Sequence, residues 1–158
     1  MSKKKIGIIL ITILILGLSF ILYRQMVVDN YVPADDEIAL HIQLDIGEDI
    51  GLLVFDYHAD GQEYSGGISN ADRSLLKNNS NMIQVWNRQE LNSSSGTVTV
   101  SIQFRIITEY VEPNFENIYP EDITKYIDTP ISLNAHFGEE YFITITGDKA
   151  SGYKAVLN

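Results

Sequence analysis

The chain has 158 residues, 45% of them hydrophobic, no cysteine and a formal net charge of −10. Lacking cysteine, it can form no disulfide, thiolate metal site, cysteine nucleophile or cysteine-linked lipid anchor. Four of the eleven basic residues, Lys3, Lys4, Lys5 and Arg24, precede the first acid at Asp29; the remainder carries seven basic against twenty-one acidic side chains, a net of −14, and would repel nucleic acid and anionic lipid surfaces.

Residues 6–23 are uncharged and mostly isoleucine and leucine. At 1.5 Å per residue they make about 27 Å of helix, close to the roughly 30 Å of bilayer hydrocarbon. Lysines before this stretch and acids after it predict a cytoplasmic N-terminus and a domain outside the membrane, because basic residues collect on the inner side. The rival reading is a secreted protein whose signal peptide is cut near Ser19. Against it, the apolar run continues through Phe20, Ile21, Leu22 and Tyr23, past the cut. Both readings export the domain. The expected division is 1–28 for the lysine cluster and membrane anchor or signal, 29–37 for a spacer containing Pro33, and 38–158 for an extracytoplasmic domain.

From Ile38 the pattern turns to period two. Ile38, Leu40, Ile42, Leu44 and Ile46 alternate with Ala39, His41, Gln43 and Asp45, which predicts a strand with one buried face. After a turn at 47–49, a more apolar run ends at Asp60-Gly61 and is expected to pair with the first strand as a hairpin. A weaker strand broken by Gly66 and Gly67 follows. Asn70 is placed to cap a helical turn from Ala71. In 81–91, Met82, Gln84, Trp86 and Arg88 share a face, with Trp86 read as core. The clearest strand holds Val98, Val100, Ile102, Phe104 and Ile106 inward. Another puts Ile131, Leu133, Ala135 and Phe137 on one face, and 141–158 reads as two short strands around a Gly/Asp/Ser turn.

About seven to eight strands at even spacing predict an all-β fold, a single antiparallel β-sandwich of immunoglobulin-like dimensions behind one N-terminal transmembrane helix. A closed β-barrel is the alternative. Between Val111 and Pro130 no period is sustained, although Phe115, Ile118, Tyr119, Ile123, Tyr126 and Ile127 lie there. Such a segment is expected to cross between sheets and bury its own hydrophobes, or else to carry function.

Chemistry leaves few traces. No nucleophile elbow, phosphate loop, zinc-protease helix or dinucleotide fingerprint is present, which argues against an enzyme. If the first two strands formed a hairpin, His41 would approach Asp56 and His58, a set suited to zinc or a similar ion; the simpler account is a solvated strand face. His136 reads as an exposed strand residue. Acids at 35–37, 45–49 and 56–63 would admit calcium, yet none fits a calcium loop, and acidic turns on exported domains ordinarily serve solubility. No cofactor is expected otherwise.

Recognition remains. Tyr110, Phe115, Tyr119 and Tyr126 fall where strands end and loops begin, and aromatic rings there supply large contact area at low entropic cost. The expectation is a membrane-anchored, non-enzymatic binding domain of a bacterial cell surface, with a protein or cell-envelope glycan as ligand. A carbohydrate-binding module with structural calcium, and a metal-binding domain using His41, Asp56 and His58, are the alternatives.

Overall fold

The computed structural model describes residues 31–111 and 120–158. The apolar stretch 6–23 lies outside them, as do Phe115 and Tyr119. Val32–Asn158 is one compact unit. Among the described residues there are nine strands and no helix: β1 (Glu37–Ile46), β2 (Leu52–Ala59), β3 (Gln62–Ile68), β4 (Asn81–Asn87), β5 (Thr97–Ile107), β6 (Thr124–Tyr126), β7 (Ile131–His136), β8 (Glu140–Asp148) and β9 (Gly152–Leu157).

They form two sheets rather than a closed barrel. One has the order β4-β1-β8-β9; in the other, β3-β2-β5 is completed by β6 and β7, both paired to β5. The alternating residues of β1 and β5 meet between the sheets, where Ile38, Leu40, Ile42, Leu44, Val98, Val100, Ile102, Phe104 and Ile106 are buried. Burial of this apolar surface is the main driving force for the fold. Trp86 lies in the same core, 4.8 Å from the ring of Tyr57, which also stacks on Tyr64 at 5.0 Å. These two tyrosines serve packing. Burial and the nearby charge of Glu90 raise the Tyr57 hydroxyl above its ordinary range.

Four expectations need correction. First, β1 and β2 do not form a hairpin. The link 47–51 carries Ile50, fully buried and bridged to Leu76, and it crosses from one sheet to the other: Gly47 N–H donates to Gly147 O at 2.8 Å, and Gly51 N–H to Ile107 O at 2.8 Å. An apolar residue in the link made it a buried crossing instead of a solvated turn. Second, the sandwich is not wholly antiparallel, because β1 pairs with β8 in parallel and with β4 antiparallel.

Third, Asn70 caps no helix. Its Nδ2 donates to Ser74 Oγ and Leu75 O, Asp72 Oδ1 accepts from the Ser74 amide and hydroxyl, and Arg73 has a φ of 66°. Asn, Asp and Ser side chains here bond the local backbone in competition with helix. Fourth, the segment expected to cross between sheets leads, in its described part, back to the sheet of β5: β6 pairs Thr124 with Ile107, and β7 pairs Ile131 with Ile102, so β6 and β7 are two pieces of one interrupted strand beside β5. Ile127, at the interruption, is buried in the core.

The Asp60-Gly61 turn stands as expected, joining β2 to β3 with φ of 48° and 80°, the left-handed pair that suits a tight hairpin.

Candidate functional site

Strand directions give the sandwich two poles. The chain enters at the start of β1, where Gly138 N–H donates to Glu37 O at 2.7 Å; the Asp60-Gly61 turn and the loop 88–96 belong to this pole. At the other pole lie the link 47–51, residues 77–80, the end of β5 with Tyr110, residues 120–123 and the β8–β9 turn. Tyr110, half-buried, and the neighbouring Glu109 pass against Gly51.

Tyr126 is open to solvent, at 62% exposure. It stands on β6 directly across from Arg105 of β5, on the outer face of the five-stranded sheet. The Arg105 guanidinium carbon lies 5.9 Å from the centroid of the Tyr126 ring, within cation–π reach. Nη2 of Arg105 reaches both carboxylate oxygens of Asp56, at 2.9 and 2.7 Å, and Ser65 Oγ donates to Asp56 Oδ1 at 2.7 Å. An arginine held by a carboxylate is pre-organised and loses little freedom when a ligand arrives. Arg105 is thus fixed in place under an exposed ring. Beyond Asp56 a shallow depression of about 430 Å³ opens toward His58, Glu63 and Ser65, with His58 Nε2 3.7 Å from Glu63 Oε1.

The structure therefore brings together Asp56, His58 and Tyr126 on one outer face, with Arg105 as the residue that sequence reading missed. His41 is elsewhere. It projects from β1 on the outer face of the other sheet, its ring stacked on Phe142 at 4.6 Å and its Nε2 2.8 Å from Glu140 Oε2. The set His41, Asp56 and His58 depended on the hairpin and is not assembled, because β1 and β2 lie in different sheets. Among the described residues no three His, Asp or Glu side chains converge as a metal site would require.

Two of the acids that suggested calcium, Asp49 and Glu48, already have partners. Asp49 accepts from Lys77 Nζ at 2.8 Å and from the Asn78 amide at 2.9 Å, which hold its carboxyl below the usual range. The Asp148 carboxyl is likewise lowered by the amides of Ser151 and Ala150, which fix the β8–β9 turn. Tyr153 donates to Glu48 Oε1, and burial together with that carboxylate raises its hydroxyl far above the ordinary range. These bonds pin the loops of the pole opposite the chain's entry.

No protein-family model matches the chain, and no curated protein does. Among solved structures it is similar to one titled "Trapped Toxin", at 8% identity and a TM-score of 0.39 over 77% of this chain and 23% of that one. It is similar to pneumolysin at 10% identity and a TM-score of 0.39, again over 77% and 23%. The membrane-binding domain of pneumolysin gives 10% identity and a TM-score of 0.37, over 77% of this chain and 96% of that one. The chain spans about a quarter of the longer toxins, and likeness this distant carries no functional argument.

Proposed function

We propose that the protein is a membrane-anchored, extracytoplasmic binding domain without enzymatic activity, which recognises a protein or cell-envelope glycan through the outer face around Tyr126. The observation that carries this reading is an aromatic ring 62% exposed beside an arginine already locked by Asp56. Large exposed aromatics flanked by a fixed guanidinium are the side chains that dominate recognition surfaces. The neighbouring polar residues Ser65, Asp56 and His58 supply hydrogen-bonding groups around them.

The anchor reading rests on residues 6–23 and their lysine flank. Mass spectrometry of the membrane-derived protein is expected to find the N-terminal stretch retained; a chain beginning near Phe20 would make it a secreted protein instead.

The recognition reading is tested with Tyr126→Ala. Because this side chain is mostly outside the core, the variant is expected to melt with the parent while losing at least about 2 kcal/mol of ligand affinity, the size of an interface hot spot. Thermal melts of the full chain in detergent against cell-wall saccharides and peptide ligands supply the comparison, since a ligand that binds only the folded state raises its melting temperature. Equal ligand-induced shifts in parent and variant would remove Tyr126 from the site. A saccharide rather than a peptide giving the shift would identify the domain as a carbohydrate-binding module.

A further inference from the structure

We infer that the seam between β9 and the β6–β7 interruption accepts an extended peptide of a protein partner as an added strand, an inference that rests on the recognition reading above and names its ligand class. Asn158 N–H donates to Phe142 O at 2.9 Å, which sets the alternation along β9. In an antiparallel pair every second residue bonds the neighbour. Val156, Lys154 and Gly152 therefore bond β8, and the main-chain N–H and C=O groups of Leu157, Ala155 and Tyr153 face away from it. The same logic applies across the seam. Ile127 N–H donates to Phe104 O at 3.1 Å, so Ile127 faces β5 while the main-chain groups of Tyr126 face outward.

Two unpaired edges thus look at one another. Among the described residues β9 pairs only with β8, and β6 and β7 only with β5, although β9 approaches both. An open space of about 380 Å³ runs between residues 126–129 and 151–156. The edge is only lightly protected. Its one charge is Lys154, it has no proline, and Val156 and Leu157 are 53% and 38% exposed.

An extended chain is the ligand whose donors and acceptors match this spacing, and strand addition is a recurrent way to bind one. Side chains of an added strand would alternate: one set enters beside Ala155, Leu157 and Ile127, the other lies outward with Lys154, Val156 and Tyr126. This favours apolar residues at every second position of the peptide. In a domain carrying −14 beyond residue 28, it also disfavours a strongly acidic peptide. A second copy of the chain fits less well, because its own β9 comes with the same 126–129 wall alongside, and two walls would compete for one seam.

The probe is a phage-displayed random heptapeptide library, panned on the full chain in detergent. Ala155→Pro removes one seam-facing N–H and leaves the β8 ladder donors intact, a place where an edge strand tolerates proline. Selected peptides are expected to show alternating apolar residues and to bind Ala155→Pro at least about tenfold more weakly. In the unaltered protein, where folding of a variant is not at issue, they should slow amide exchange at Ala155 and Leu157 about tenfold or more. A library yielding no such peptide, or peptides that leave those two amides unprotected, overturns the inference. Ligands that depend on Tyr126 but are indifferent to Ala155→Pro also overturn it while leaving the recognition reading standing; ligands indifferent to both substitutions overturn both.

Discussion

Trp86→Ala is expected to lower the stability of the domain by about 3–5 kcal/mol, the range for removing a large aromatic from a packed core. Trp86 is 1% exposed, pairs across from Ile38 of β1 and packs its ring against Tyr57 of the opposite sheet. It therefore fastens an edge strand of one sheet to the centre of the other. Small domains hold only about 5–15 kcal/mol in total, so the loss takes about a fifth or more of the reserve. A melting temperature lower by roughly 10–20 °C is the corresponding readout for a domain of this size. It is followed by far-ultraviolet circular dichroism, since the substitution removes the sole tryptophan. A shift of only a few degrees would mean that Trp86 is not in the core.

The second large effect is expected from a glycine. A Cβ added at Gly51 would lie 1.9 Å from Glu109 O and 2.8 Å from Tyr110 N. Both obstacles are backbone, so no side-chain rotation relieves the overlap. Gly51→Ala must push the 47–51 link away from the end of β5 and stretch the Gly51 N–H bond to Ile107 O. A loss of about 3 kcal/mol or more is expected, at the upper end for overpacking. Urea denaturation of parent and variant measures it. Gly96→Ala, with nothing within 4 Å of the added carbon, is the matched control for the loss of a glycine. Equal midpoints for the two variants would contradict the close approach of Glu109.

Much of the strand inventory was legible because burial on one face writes a period of two into the sequence. β1, β5 and β7 are the clearest instances; β1 and β5 bury the residues their alternation nominated, and β7 buries Ile131, Leu133 and Ala135, while Phe137 lies beyond its end and is half-buried. Pairing was less legible, since alternation says which way a side chain points but not which strand lies beside it. The link 47–51 looked like a hairpin turn until Ile50 proved to be buried. That one error in pairing also created the metal set, by placing His41 beside Asp56 and His58.

The candidate site shows the same division. Tyr126 was visible as an aromatic at a strand margin. Its setting was hidden, because Asp56 and Arg105 are 49 positions apart and meet only through the β2–β5 register, in which Asp56 pairs with Gln103 and Val54 with Arg105. The available signal was an arginine on the outward face of the most regular strand. Leu76 and Leu91, both buried outside any strand, left no periodic trace at all.

The parallel pairing of β1 with β8 has a consequence for how the domain is made. The first strand of the domain occupies the middle of its sheet, and partners such as Leu44 and Ile145 are about a hundred positions apart. Such a contact gains nothing until nearly the whole chain is present, and the entropy of closing that loop comes first. Folding is therefore expected on the millisecond-to-second scale of non-local β topologies, with no early stable intermediate around β1. A chain threaded N-terminus first through a narrow channel keeps β1 without its central neighbour until residues 140–148 emerge. β1–β4, β2–β3 and β2–β5 can pair before then, but the four-stranded sheet is joined across its centre only when β8 arrives.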